Sequence, residues 1–408
     1  ADLLQYIIMT IASLLVGFIA MSALASSHLI VPEGWMSPWF GWDLGLDWSN
    51  IIPQVNEKIA SDGFTPFSIF FMMMLFKGFL VSAAGPAPNY DMQKILSTRS
   101  PAEGAKMSGF VSVILNPIRY FMVTGFVVLA LLYYDRLNLV VGDRIDFEQI
   151  LPSAMSEFVP VGLLGLLLAG LMAAFMSTFA GTLNAGQAYV VNDIYLKIKQ
   201  DASNRQIKYA NWIVGIVLVV ISTILGVFAL DVNSLLQWIV SALWGGYIAA
   251  NVLKWYWWRF NGHGYFFGML FGLIPALIFP LIFKETLELY YFPIILLASV
   301  IGCLIGTSKY PATDEETLKS FYRTVRPWGF WGPIHDKVVA EDPTFERNRD
   351  FWRDMFNVAV GIVWQTALVA MAIYLVLLNG SGAAVSIALV IVTTLILKKT
   401  WWDRLPAD

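Results

Sequence analysis

Apolar runs of about 20 residues recur along the whole chain, each bounded by charges, glycine or proline and each long enough to cross ~30 Å of hydrocarbon as a helix. Ten spans are predicted, at 3–24, 66–88, 109–134, 159–194, 209–230, 234–257, 264–283, 287–307, 352–378 and 381–399. Pro275 and Pro280 interrupt the stretch 264–307, which reads either as two spans or as one kinked span plus a re-entrant piece; two is the reading kept. Residues 309–350 break the pattern, being polar, rich in both charge signs and studded with Pro, Trp and Gly. They predict a short helix around Asp314–Arg326 followed by turns, a solvated connector on the inner side. The fold class is all-α, a polytopic membrane protein.

Composition agrees, with 58% apolar and 13% charged residues against about a quarter charged in a soluble chain. Such a surface needs the lipid bilayer as its solvent, and no nucleic-acid partner is expected. Lysine and arginine give the orientation. With residue 1 in the cytoplasm, the inner loops collect Lys94, Arg99 and Lys106, then Lys197 to Lys208, Lys254 and Arg259, the basic residues of 309–353, and Lys398 to Arg404; the outer loops keep Lys58, Arg136, Arg144 and Lys284. The expected location is a bacterial cytoplasmic membrane, with residue 1 and the C-terminus inside. Trp255, Trp257 and Trp258 at the end of the sixth span read as interfacial anchors. A lone Cys303 excludes a disulfide within the chain, and His28, His263 and His335 have no zinc-type spacing. The chain opens at Ala1 and runs through Asp2-Leu-Leu-Gln5 straight into a span, so further sequence upstream is expected.

Chemistry concentrates in two spans. In the fourth, Ala174, Ser177, Thr178, Gly181 and Asn184 fall at offsets 0, 3, 4, 7 and 10, one small and polar helix face continued by Gly170. Two readings stand: close packing of a neighbouring helix, or oxygens lining a cavity that suits a hard cation. The second span carries Gly78 and then Gly85-Pro86-Ala87-Pro88, so its inner half cannot be a regular helix. Discontinuous helices of this kind build substrate and ion sites in secondary transporters. Lys77 lies near the middle of that span; it marks a function, or it snorkels or pairs structurally.

The stretch from Gly162 through Ala173-Ala174 to Ser177, Thr178 and Asn184, followed by Asn192-Asp-Ile-Tyr195, resembles the late core helix of the sodium/solute symporter family, the sodium-coupled sugar, inositol, sialic acid and proline transporters. The segment from Asn89 to Lys106 is similar to that family's inner loop, and Asp2-Leu-Leu-Gln5 to the start of its fifth core helix. The resemblance implies two inverted five-helix repeats with extra C-terminal helices. Residues 1–258 would hold core helices five to ten, with the first four absent; 259–308 additional helices; 309–350 a cytoplasmic loop; and 351–408 the last helices. It implies sodium as the coupling ion, bound by the Ala174 carbonyl and the Ser177 and Thr178 hydroxyls, with no organic cofactor. A second ion would need Asp2 together with hydroxyls where this chain has Ala180 and Gly181, so one sodium per solute is expected. On the solute side the family positions fall on Val81, Ala84, Gly85 and Gln237, with Lys77 as a candidate for a solute carboxylate. The implied function is symport of a sugar, sugar acid, polyol or amino acid by alternating access. The alternative from another class is a transporter-like membrane sensor or receptor; no enzyme constellation is present in the sequence.

Overall fold

A computed structural model describes residues 2–37, 39–84, 95–137, 139–141, 144–227, 245–283 and 286–405. The helices are α1 (Asp2–Ala25), α2 (Pro53–Ser61), α3 (Phe67–Ala83), α4 (Pro101–Leu132), α5 (Ile150–Phe158), α6 (Val161–Val190) and α7 (Asn204–Val227). They continue with α8 (described over 245–256), α9 (Gly262–Ile282), α10 (Glu288–Lys309), α11 (Glu315–Val325), α12 (Gly332–Glu341), α13 (Phe351–Val376) and α14 (Gly380–Thr400). Among the described residues, eight helices are long and apolar enough to cross a membrane, namely α1, α4, α6, α7, α9, α10, α13 and α14. The predicted spans at 66–88 and 234–257 are described only through α3 and α8. The one sheet among the described residues is a short antiparallel ribbon, Val140–Val141 with Arg144–Ile145. The protein is an integral, all-α polytopic membrane protein.

The described chain divides into two compact units. The first comprises Ala1–Val31, Asn89–Ser222 and Trp352–Asp408. Its core joins Ala12 and Val16 of α1, Phe126 and Ala130 of α4, Ala154 and Met155 of α5 and Leu167 of α6. Helices α1 and α4 cross at glycine: a Cβ on Gly125 would lie 3.1 Å from the Gly17 Cα. At the other end of the unit, Asn357 Nδ2 donates to the Thr400 carbonyl at 3.2 Å and accepts at Oδ1 from the Thr400 hydroxyl at 2.6 Å, pinning α13 to α14. Helix α4 begins eight residues before the predicted 109, and the reason is local. The Ser100 hydroxyl accepts from the Glu103 N–H at 3.2 Å while Glu103 Oε2 accepts from the Arg99 N–H at 2.6 Å, a reciprocal cap that starts a helix well before its apolar face begins.

The second unit comprises Pro32–Pro88 and Thr223–Phe351. Helices α9 and α10 form its tightest pair. Gly264, Gly268 and Gly272 recur every four residues on α9, as do Gly302 and Gly306 on α10; Gly264 and Gly268 face α10, Gly302 and Gly306 face α9, and Gly272 faces α8. A Cβ on Gly272 would lie 2.5 Å from the Gly246 carbonyl oxygen, and one on Gly302 2.4 Å from that of Phe267. Small residues let membrane helices approach in this way where no hydrophobic drive exists between them. Buried Ser299 adds hydrogen bonds from its hydroxyl to the carbonyls of Gly246 (3.1 Å) and Gly268 (2.9 Å). Pro275 and Pro280 lie inside α9 without ending it, which favours the two-span reading of 264–307.

Residues 309–350 are more ordered than the predicted helix plus turns. The Asp314 carboxylate accepts from the Thr317 N–H at 3.1 Å and caps α11, which ends at Arg326 in the left-handed conformation (φ 47°). A second helix, α12, replaces the expected turns because Gly332-Pro333 starts it, proline being favoured in a first helical turn. Leu318, Tyr322, Trp331, Ile334 and Val338 bury a small core between the two. Lys319 reaches Glu315, Glu316 and Glu341, Arg323 reaches Glu341, and Lys337 reaches Glu315. The pair docks onto the end of α8. The Trp331 indole donates to the Trp255 carbonyl at 2.9 Å and the Phe330 N–H to the Tyr256 carbonyl at 2.7 Å, where Gly329 (φ 105°) leaves room for the approach.

This charge network has a pH signature. Lys319 holds the Glu341 carboxyl below the usual carboxylate range and Lys337 does the same for Glu315, while Glu341 and Glu316 push Lys319 above the usual lysine value. A lowered carboxylate stabilises the folded state above its unfolded value of ~4.3 and loses that contribution as pH falls through the folded value; raised Lys319 loses its share only as pH climbs past ~10.4. Hydrogen exchange over 315–341, corrected for intrinsic rate, is therefore expected to show level protection between about pH 5 and pH 9 and a drop below about pH 4. Protection that persists unchanged to about pH 2 would remove the network from the account.

Candidate functional site

Among the described residues, helix α6 meets α1 near Gly170 and α7 near Gly186. Near its middle, a Cβ on Gly170 would lie 2.6 Å from the Met9 sulfur of α1. Farther on, a Cβ on Gly186 would meet Leu218 of α7 at 3.0 Å, and Gln187 lies against Gly215, its Nε2 donating to the Asn211 carbonyl at 3.1 Å. Between these points, a Cβ on Gly181 would meet nothing within 4 Å. Thr178 and Asn184 are exposed, and Ala174, Ser177 and Gly181 are half-buried. The small polar face thus changes along its length: Gly170 serves helix packing, whereas Gly181 has open space beside it and Thr178 and Asn184 are exposed among the described residues.

Helix geometry directs the oxygens there. The Ala174 carbonyl accepts from the N–H four residues on and keeps a second lone pair, and the Ser177 and Thr178 side chains begin one turn along the same face. The Thr178 carbonyl takes a second hydrogen bond from the Thr182 hydroxyl at 2.9 Å. After Val190 the helix loosens into a π-turn, Val191–Tyr195, a local expansion common at functional sites. It covers the Asn192-Asp-Ile-Tyr195 segment singled out in the sequence. Gln187, which ties α6 to α7, escaped the sequence reading; a glutamine inside an apolar span was the signal for it.

The solute-side candidates fall in the second unit. Lys77 is buried, 8% exposed, with Nζ 5.6 Å from the centre of the Phe292 ring of α10. A cation over an aromatic face is stabilised by the ring quadrupole, so the ammonium has a contact within the protein. Val81 is half-buried. Ala84 is buried and its carbonyl accepts from the Trp255 indole at 3.0 Å, which turns Trp255 inward from its expected place as a lipid anchor. Gly85 and Gln237 lie outside the described residues, as does the side chain of Asp2.

The sequence profile of the sodium:solute symporter family matches residues 1–272. The chain belongs to that family. Among individual proteins it is similar to sodium/glucose cotransporter 1 of Oryctolagus cuniculus, 26% identical over 200 residues that cover 45% of this chain and 30% of the relative. It is also similar to the sodium/pantothenate symporter of Haemophilus influenzae, 27% identical over 184 residues (44% of this chain, 37% of the relative). Solute carrier family 5 member 4B of Mus musculus is 30% identical over 174 residues (39% of this chain, 26% of the relative). The chain thus spans between 26% and 37% of the length of these three relatives. Members of the sodium:solute symporter family are transporters rather than enzymes.

Proposed function

We propose that this chain is the later part of a sodium-coupled symporter, in which the Ala174 carbonyl and the Ser177 and Thr178 hydroxyls hold the coupling ion while a small organic solute binds near the bilayer midplane. The observation that carries the reading is the open space beside Gly181 among the described residues, on the polar face of α6 between its packing points at Gly170 and Gly186. A stripe of small residues used wholly for packing would be closed along its length. Neutral oxygens suit a hard, weakly held monovalent cation, and alternating exposure of such a site to the two sides of the membrane couples ion to solute. The solute class is a sugar, sugar acid, polyol or amino acid. The Phe292 contact favours a structural role for Lys77, and Val81 with Ala84 offers few polar groups, so other parts of the protein carry most of the selectivity. The division at 258, with 309–350 cytoplasmic and both ends of the chain inside a bacterial cytoplasmic membrane, belongs to the same proposal and rests on the basic residues of the inner loops.

Ala180 and Gly181 carry no hydroxyl, so a single ion accompanies each solute. One charge crossing 100 mV contributes ~2.3 kcal/mol and a tenfold sodium gradient ~1.4 kcal/mol, which sets accumulation of a neutral solute at roughly several hundredfold. Reversal-potential measurements in proteoliposomes are expected to give a coupling ratio of one. A ratio of two would require a second site that this reading lacks.

A further inference from the structure

We propose that Lys254 is the cationic centre of a binding site for the phosphate of an anionic phospholipid, in the groove between the end of α8, the start of α9 and α11. The groove encloses about 350 Å³. Trp257, Phe260, Tyr265, Leu318 and Phe321 form its apolar and aromatic lining, and Lys254 is the one charged residue in it. The Lys254 ammonium donates to Asn251 Oδ1 at 2.8 Å and lies 5.4 Å from the centre of the Trp255 ring. Asn251 is itself buried, 3% exposed, and its Oδ1 also accepts from the Tyr265 hydroxyl at 3.3 Å. The ammonium is thus held in place by a neutral partner, with two of its three N–H donors remaining. No carboxylate pairs with it among the described residues. On the rim, Asp314 turns its carboxylate onto the Thr317 N–H and hydroxyl.

A half-buried cation in an apolar groove is costly unless an anion completes it. The position selects the anion. Lys254 and the tryptophans close a membrane helix on the side where the basic residues gather, and basic pockets between helices at that level take lipid headgroups. The aromatic walls match the glycerol and first methylenes of a lipid, which a free phosphate ion would leave bare. The proposal stands apart from the sodium site, which lies on α6.

The test uses the full-length protein purified in neutral detergent and titrated separately with phosphatidylglycerol, phosphatidylcholine and inorganic phosphate, with thermal stability as the readout. Phosphatidylglycerol is expected to raise the melting temperature, the other two to have little effect. Lys254→Gln is expected to weaken the phosphatidylglycerol response by about fivefold or more, and Lys254→Arg to preserve it. Thr317→Glu is the variant that protects the test against misfolding. Position 317 is exposed and three residues past the Asp314 cap, where glutamate supports a helix start, and it sets a competing carboxylate on the rim; it too is expected to weaken the response. An undiminished response in both Lys254→Gln and Thr317→Glu would overturn the proposal. So would an equal effect of phosphatidylcholine, or stabilisation by inorganic phosphate that the lipid does not exceed.

Discussion

Replacing Ser177 and Thr178 together by alanine is expected to nearly abolish sodium-stimulated uptake while leaving the protein folded and in the membrane. A sodium ion held by neutral oxygens has surrendered its water, and a missing hydroxyl leaves a coordination vacancy that a helix backbone cannot fill. One ligand to an ion is worth on the order of 1.5 kcal/mol, so Ser177→Ala alone should raise the half-saturating sodium concentration by roughly tenfold. Removing both oxygens compounds the loss. Alanine is also the better helix former and smaller than either residue, so both changes are expected to leave α6 helical. Uptake against sodium concentration in proteoliposomes, with expression and melting temperature measured beside it, decides the matter. Wild-type sodium dependence in the double variant would sink the ion-site assignment. Parallel loss of expression and uptake would mean that the face exists for packing.

The other large effect is structural. Gly272→Val is expected to prevent α9 from packing against α8 and to reduce the yield of folded protein severely, because the new Cβ would lie 2.5 Å from the Gly246 carbonyl oxygen and 2.7 Å from its Cα. Overpacking a core side chain costs ~1–3 kcal/mol, and here the obstacle is backbone, which cannot swing aside as a side chain does. Gly302→Val should behave alike, meeting the Phe267 carbonyl. Gly361→Ala is the control: it lies inside α13 with open space around it, and alanine there should leave stability unchanged or raise it slightly by helix propensity. Melting temperatures in detergent rank the three. A Gly272→Val protein that melts with the wild type would mean that the helices do not meet as described.

The spans were legible because an apolar run bounded by charge has few other solutions in a chain that must satisfy its backbone in lipid. The boundaries failed where hydrogen bonding decides against hydropathy. Ser100 and Glu103 begin α4 among polar residues, and Gly332-Pro333, which resembles a break, begins α12. Pro275 and Pro280 carried weight as interruptions, whereas the four-residue spacing of Gly264 and Gly268 against that of Gly302 and Gly306 was the better sign of two helices lying close. For the candidate site, helical offsets put Ala174, Ser177 and Thr178 on one face without the fold. They could not tell which part of that face is packed, because that depends on where α1 and α7 touch α6. Gly170 and Gly186 meet partners and Gly181 meets none, a distinction absent from residue type.

The Ala84 carbonyl, the Trp255 indole and carbonyl, and the Trp331 indole form a relay of hydrogen bonds at 3.0 and 2.9 Å. It runs from the end of α3 through α8 to the α11–α12 pair. Both bonds use indole N–H groups, which have a single donor direction and no acceptor to trade, so each fixes an angle as well as a distance. The small helical pair consequently behaves as a pointer fastened to the end of α8. A slight tilt of that helix, too small to register at its own axis, sweeps the exposed far edge of the pair through a larger arc, and a spectroscopic label at exposed Ser320 or Lys337 would magnify motion of the α3–α8 junction into a readable displacement.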